Sequence, residues 1–168
     1  MGHDAQRMLA GGVPDVVVAS TAIPESNPEL VRAAELGIPR QSRAQALADL
    51  VQGYTVVSVA GTHGKTTTTS MATVVLQTAG RNPSFVIGSE MNESGSNAHQ
   101  GTGPHFVVEA DESDGTFLQL PTTVAIVTNV EPDHLNYWGT YEAIEDAFVD
   151  FVVGSSVAIV CGDDPGAR

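Results

Sequence analysis

Cysteine is almost absent from this 168-residue chain. Cys161 stands alone, which excludes an internal disulfide and any multi-cysteine metal site. Lysine is equally scarce, with Lys65 its only instance. Basic residues number seven against twenty acidic ones, and the resulting net charge of −13 makes nucleic acid and anionic membrane poor partners, because such a surface repels phosphate. It repels a free nucleotide too, so any polyphosphate has to be held locally by backbone amides, a lysine and divalent cations. No run approaches the ~20 apolar residues that span a bilayer. The opening Met1-Gly2-His3-Asp4 lacks the basic and apolar regions of a signal peptide. Gln6 stands where a myristoylation motif wants Ser or Thr. A reducing compartment and a cytoplasmic location are the expectation. What is present suffices for a core, since 42% of the residues are hydrophobic.

Short β-branched runs alternate with helical stretches, which predicts an α/β fold with a largely parallel sheet. Strands are expected at Asp15–Ser20, Tyr54–Ala60, Ser84–Ile87, His105–Glu109, Thr123–Val130 and Val157–Cys161. Helices are expected at Pro28–Gly37, with Asn27 as cap, at Arg43–Val51, at Lys65–Ala79 and at Thr140–Val152. The stretch from Gly88 to Pro104, rich in Gly, Ser and Asn, reads as one long loop of functional length. A boundary is placed near Gly53, dividing residues 1–52 from 53–168. The first part shows one clear strand, too little for a core of its own.

Three segments carry chemistry. Val56 to Ala60 runs into Gly61-Thr62-His63-Gly64-Lys65-Thr66-Thr67, a strand–loop–helix in which glycines turn backbone N–H groups toward a polyphosphate. Lys65 then meets the outer phosphates and the Thr66 hydroxyl is placed for Mg²⁺. Two residues separate the first glycine from Gly-Lys, against four in the commonest P-loop. The second segment, Glu109-Ala110-Asp111-Glu112-Ser113-Asp114, places Glu109 at a strand end, where a P-loop needs its acidic metal ligand. The third delivers Asn129, Asp133 and His134 beyond another strand, at the edge where α/β sheets bind ligands. A GTPase reading wants Asn-Lys-x-Asp, which a chain with one lysine cannot supply.

Together these segments resemble the Mur ligases of peptidoglycan synthesis, and the likeness spans essentially the whole chain. The run Ala22-Ile23-Pro24-Glu25-Ser26-Asn27-Pro28-Glu29 is similar to the end of that family's UDP-sugar-binding domain. His63 beside the acidic run resembles the alanine-adding branch, with the murein tripeptide ligases as the nearest rival. The resemblance implies that residues 1–52 are the later part of a Rossmann-like UDP-sugar-binding domain and 53–168 the earlier part of a central ATPase domain. On that reading the chain lacks the family's opening segment and its amino-acid-binding domain, and is expected to be inactive alone. The implied reaction is ATP-dependent ligation of L-alanine to the carboxylate of UDP-N-acetylmuramate through an acyl phosphate. It implies ATP and Mg²⁺ as cofactors, with Gly61 to Thr67 cradling phosphate. Lys65, Asn129 and His134 are the implied catalytic groups, with Asn129 turned to the nucleotide; Thr66, Glu109 and His134 are the implied metal ligands. The loop from Asn92 to Gly103 is expected to approach the sugar nucleotide. A nucleotide-binding remnant without activity is the alternative outside catalysis.

Overall fold

The computed structural model describes residues 4–20, 22–88 and 96–168. The chain forms two compact units, Met1–Leu50 and Val51–Arg168.

The first unit holds α1 (Ala5–Met8), β1 (Val17–Ala19), α2 (Pro28–Glu35), β2 (Arg40–Ser42) and α3 (Arg43–Leu50). The Asn27 side chain accepts the Glu29 N–H at 2.9 Å and Pro28 occupies the first helical position, so α2 begins where its capping residues dictate. Leu30 and Ala33 form its buried side. Ser42 and Gln45 exchange side-chain and backbone hydrogen bonds of 2.9 and 3.1 Å, a capping box at the start of α3. The expectation of a single strand here is corrected: β1 pairs in parallel with β2, Val18 opposite Gln41. The sequence of β2 is Arg-Gln-Ser, polar throughout, so no hydrophobic alternation marks it.

The second unit is a six-stranded sheet with β3 (Thr55–Ala60), β4 (Ser84–Val86), β5 (Ala98–His99), β6 (His105–Glu109), β7 (Val124–Val127) and β8 (Val157–Val160). Their order is β5-β4-β6-β3-β7-β8, parallel except for the antiparallel β4–β5 pair. Among the described residues three α-helices accompany it: α4 (Lys65–Thr78), the short α5 (Leu135–Trp138) and α6 (Tyr141–Val153). The central strands are buried on both faces, as expected where crossover helices cover a parallel sheet: Val56, Val59, Val107, Val108 and Ala125 are each almost fully enclosed. β8 is the outermost strand, and its Val157, Ile159 and Val160 are exposed.

One expectation is corrected and one element is added. The stretch after Gly88 is not all loop, because Ala98 and His99 add β5 to the edge of β4, with Phe85 opposite His99. A 3-10 turn at Thr116–Gln119, unmarked in the sequence, buries Phe117 against Trp138, Phe148 and Phe151 with ring centroids 5.2 to 6.4 Å apart. The first part of the expected sugar-facing loop, Asn92 to Gly95, lies outside the described residues.

Candidate nucleotide-phosphate site

Register brings the three chemical segments to one rim. In β3, Val59 lies opposite Glu109 of β6 and Ala60 opposite Val127 of β7. The strands run parallel, so the glycine loop, the acidic turn and the histidine segment all leave the same end of three adjacent strands.

The glycines have distinct geometric duties. Gly61 has φ +137° and its Cα lies so close to β7 that an added Cβ would stand 2.0 Å from Thr128 Oγ1. Gly64 has φ +79° with open space around it, and it precedes α4 without any side-chain cap. The first-turn amides of α4 have no carbonyl one turn earlier to bond, so an uncapped fourteen-residue helix begins with free donors and the positive end of its dipole. That arrangement suits an oxyanion.

Lys65 folds back over its own loop. Its ammonium donates to the Gly61 carbonyl at 2.7 Å, lies 3.4 Å from that of Thr62, and meets the Glu112 carboxylate at 3.0 Å to Oε1 and 2.9 Å to Oε2. The geometry to Oε2 is ionic contact without a hydrogen bond, and that buried oxygen has no hydrogen-bond partner. Thr66 donates its hydroxyl to Glu109 Oε1 at 3.0 Å, while the Gly88 N–H donates to Oε2 at 2.8 Å. Thr62 and Thr67 complete the loop and the first turn; the Thr62 hydroxyl accepts the Glu131 N–H at 2.9 Å.

The third segment braces the loop. Both ends of the Asn129 amide engage the His63 backbone, Oδ1 accepting the N–H at 2.8 Å and Nδ2 donating to the carbonyl at 2.9 Å. The physical reason is proximity: β7 ends beside the loop, leaving a peptide with one donor and one acceptor within reach of a side chain that has both. Thr128 Oγ1 donates to the same carbonyl at 2.7 Å. The imidazole of His63 is exposed, 3.9 Å from Glu131. Val130 is held on both sides, its N–H by Asp164 at 3.1 Å and its carbonyl by the Tyr141 hydroxyl at 2.9 Å. Partial burial, with Glu145, Asp164 and Glu131 nearby, raises the Tyr141 pKa and keeps the phenol a donor.

His134 sits at φ +52° ahead of α5, its Nε2 4.0 Å from Glu112 and 3.8 Å from Asp133. Thr66 and Glu109 are thus joined directly, whereas His134 faces a different carboxylate. Among the described residues no group of three His, Cys, Asp or Glu side chains is assembled as a metal cluster. The Thr66–Glu109 oxygen pair nevertheless fits Mg²⁺, which takes one or two protein oxygens and completes its shell with phosphate and water.

The residue that sequence reading passed over is Glu112. It is one of four carboxylates in six residues, and nothing in composition separates it from the others. Burial does: it is 3% exposed, and its own carbonyl accepts the Trp138 indole N–H at 3.0 Å.

The Mur ligase middle domain matches residues 59–168, and the Mur ligase family catalytic domain matches residues 1–55. The UDP-N-acetylmuramate–L-alanine ligase of Mycobacterium marinum is 52% identical across 99% of this chain, which spans 35% of that relative's length. Among solved structures, the UDP-N-acetylmuramate–alanine ligase of Thermotoga maritima superposes with a TM-score of 0.88 at 29% identity, covering 99% of this chain and 39% of that one. The UDP-N-acetylmuramate:L-alanyl-γ-D-glutamyl-meso-diaminopimelate ligase of Neisseria meningitides gives 0.78 at 32% identity, covering 92% and 52%. With strands, loop and acidic turn arranged as described, the chain belongs to the Mur ligase family.

Proposed function

We propose that this chain is the nucleotide-binding portion of an ATP-dependent ligase that joins L-alanine to the carboxylate of UDP-N-acetylmuramate, in the cytoplasmic stage of peptidoglycan synthesis. The observation that carries the reading is the uncapped start of α4, with Lys65 over the loop and the Thr66–Glu109 pair beside it. The name and 52% identity of the mycobacterial relative support the substrates. Residues 1–52 then belong to the UDP-sugar domain and 53–168 to the ATPase domain.

In this mechanism the amides of Gly64 to Thr67 and the Lys65 ammonium hold the β- and γ-phosphates of ATP. The muramate carboxylate attacks the γ-phosphorus and ADP leaves with the bridging oxygen, giving an acyl phosphate; the neutral alanine amine then attacks its carbonyl, loses a proton, and phosphate departs. Thr66 and Glu109 are the residues that would hold Mg²⁺, which would neutralise charge on the phosphates. His134 stands at the same rim as a further ligand or substrate contact, and Asn129 holds the loop in register. Catalysis on this plan is positioning and charge stabilisation.

A murein tripeptide ligase is the second reading, favoured by the 32% identity to the Neisseria enzyme. The test has two arms. First, ADP binding to this chain is measured with Lys65→Ala as control; loss of roughly ten-fold or more in affinity is expected when the only lysine is removed. Second, the protein carrying this segment at the length of its relatives is assayed for phosphate release with UDP-N-acetylmuramate and either L-alanine or the tripeptide. Release with alanine supports the first reading and release with tripeptide alone supports the second. ADP binding with neither release would leave a nucleotide-binding protein only.

A further inference from the structure

Among the described residues, Glu112 is the only acidic or basic side chain that is fully buried. A carboxylate is kept out of water only at considerable cost unless a cation meets it. Here that cation is Lys65, within 3.0 Å of both oxygens, with His134 standing further off at 4.0 Å. Its backbone cannot retreat easily, because the Glu112 carbonyl accepts both the Trp138 indole N–H at 3.0 Å and the Gly115 N–H at 3.3 Å.

The ammonium of Lys65 has three donor protons. Contacts to Gly61 and Thr62 belong to its own loop and keep it poised over the glycines. The remaining direction, in which an incoming phosphate would be met, is filled by Glu112. A polyphosphate at this loop therefore meets a resident anion already bound to the same lysine.

We propose that Glu112 is a built-in competitor for the P-loop lysine: a positioning residue that holds Lys65 against the loop and whose negative charge sets how tightly the loop takes polyphosphate. The proposal rests on the nucleotide reading of the loop. It differs from a plain structural ion pair in the sign of one effect. If the pair served only the fold, neutralising Glu112 would loosen the loop and weaken binding. If Glu112 competes, neutralising it strengthens binding, because the Lys65 ammonium no longer has to leave a carboxylate to meet the phosphates.

The test is calorimetric titration of ADP, and separately of inorganic pyrophosphate, without added metal. It uses the wild-type chain, Glu112→Gln, Glu112→Asp, Lys65→Ala and the Lys65→Ala/Glu112→Gln double variant. Glu112→Gln is expected to bind at least about three-fold more tightly, because Lys65 is released from a competing anion. Glu112→Asp, with its carboxylate drawn back by one methylene, should fall between Gln and wild type. The gain from Glu112→Gln should persist at raised salt, since a buried pair is screened little, and should vanish in the Lys65→Ala background. Equal or weaker binding by Glu112→Gln with a native near-UV spectrum would overturn the proposal. If that variant fails to fold, Glu112→Asp decides by the same sign. Binding by wild type that Lys65→Ala abolishes, with no gain from either Glu112 variant, defeats the competitor and spares the nucleotide site. Absence of ADP binding by wild type defeats both.

Discussion

At the scale of single residues, two glycines in one loop do different work and make a paired prediction. Gly61 combines φ +137° with the close approach of Thr128, whereas Gly64 has φ +79° and empty space where a side chain would go. Gly61→Ala is therefore expected to destabilise the second unit by about 3 kcal/mol, through backbone strain and a clash that has to push β7 away. Gly64→Ala should cost only about 1–2 kcal/mol, the penalty of a left-handed conformation for an L side chain. Urea denaturation of the two variants checks the order; equal losses would mean that the approach to Thr128 is not tight in solution. The same scale explains why Glu112 stayed hidden in the sequence while Lys65 did not. A sole lysine after Gly-x-x-Gly advertises itself, but a glutamate among four carboxylates is singled out only by what folds over it, here Trp138 and the loop. For Asn129 the residue type and strand end were legible, but the peptide its amide would reach depends on how β7 lies against β3.

At the scale of elements, α4 shows how a poor helix sequence is made to serve. Threonines are weak helix formers, yet Lys65–Thr78 holds six of them in fourteen residues. Thr69 and Thr73 are buried and donate to the carbonyls of Lys65 and Thr69 at 2.8 Å, so their hydroxyls carry no unpaired donor into the core. β3 and β6 were readable as β-branched apolar runs, α6 by its one apolar face, and α4 by the glycine loop before it and Gly80 after it; all four lie within a residue or two of where the sequence puts them. Elements lacking that signal were not: β2 is polar, β5 has two residues, and the turn at Thr116–Gln119 exists because Phe117 has an aromatic cluster to enter. That turn carries the element-scale prediction. Phe117 is 1% exposed, and Phe117→Ala should cost about 3–5 kcal/mol, read as a lowered melting temperature. A loss under about 1 kcal/mol would show that the cluster repacks around the gap.

At the scale of the whole molecule, sheet order decides what meets solvent. The strands that carry the site, β6, β3 and β7, lie in the interior of the sheet, where both neighbours fix their register. No helix among the described residues is long and apolar enough to cross a membrane. At one edge, β8 is different: Val157, Ala158, Ile159 and Val160 are all exposed, and among the described residues they pair only with β7. A bare apolar edge of this kind is a template for a second molecule's strand, and nothing in its four residues acts as a gatekeeper. Mutual repulsion opposes such pairing, since each copy carries a net charge of −13. Solutions of this protein should therefore be clear at low ionic strength and turn turbid as salt shortens the reach of that repulsion. Ile159→Lys, which breaks the apolar strip at its centre, should slow the rise in light scattering while leaving the melting temperature nearly unchanged. Turbidity that falls with salt, or that ignores the substitution, would place self-association elsewhere on the surface. On this prediction colloidal stability is a matter of charge, and a buffer chosen to screen the acidic surface for nucleotide measurements would also bring sheet edges together.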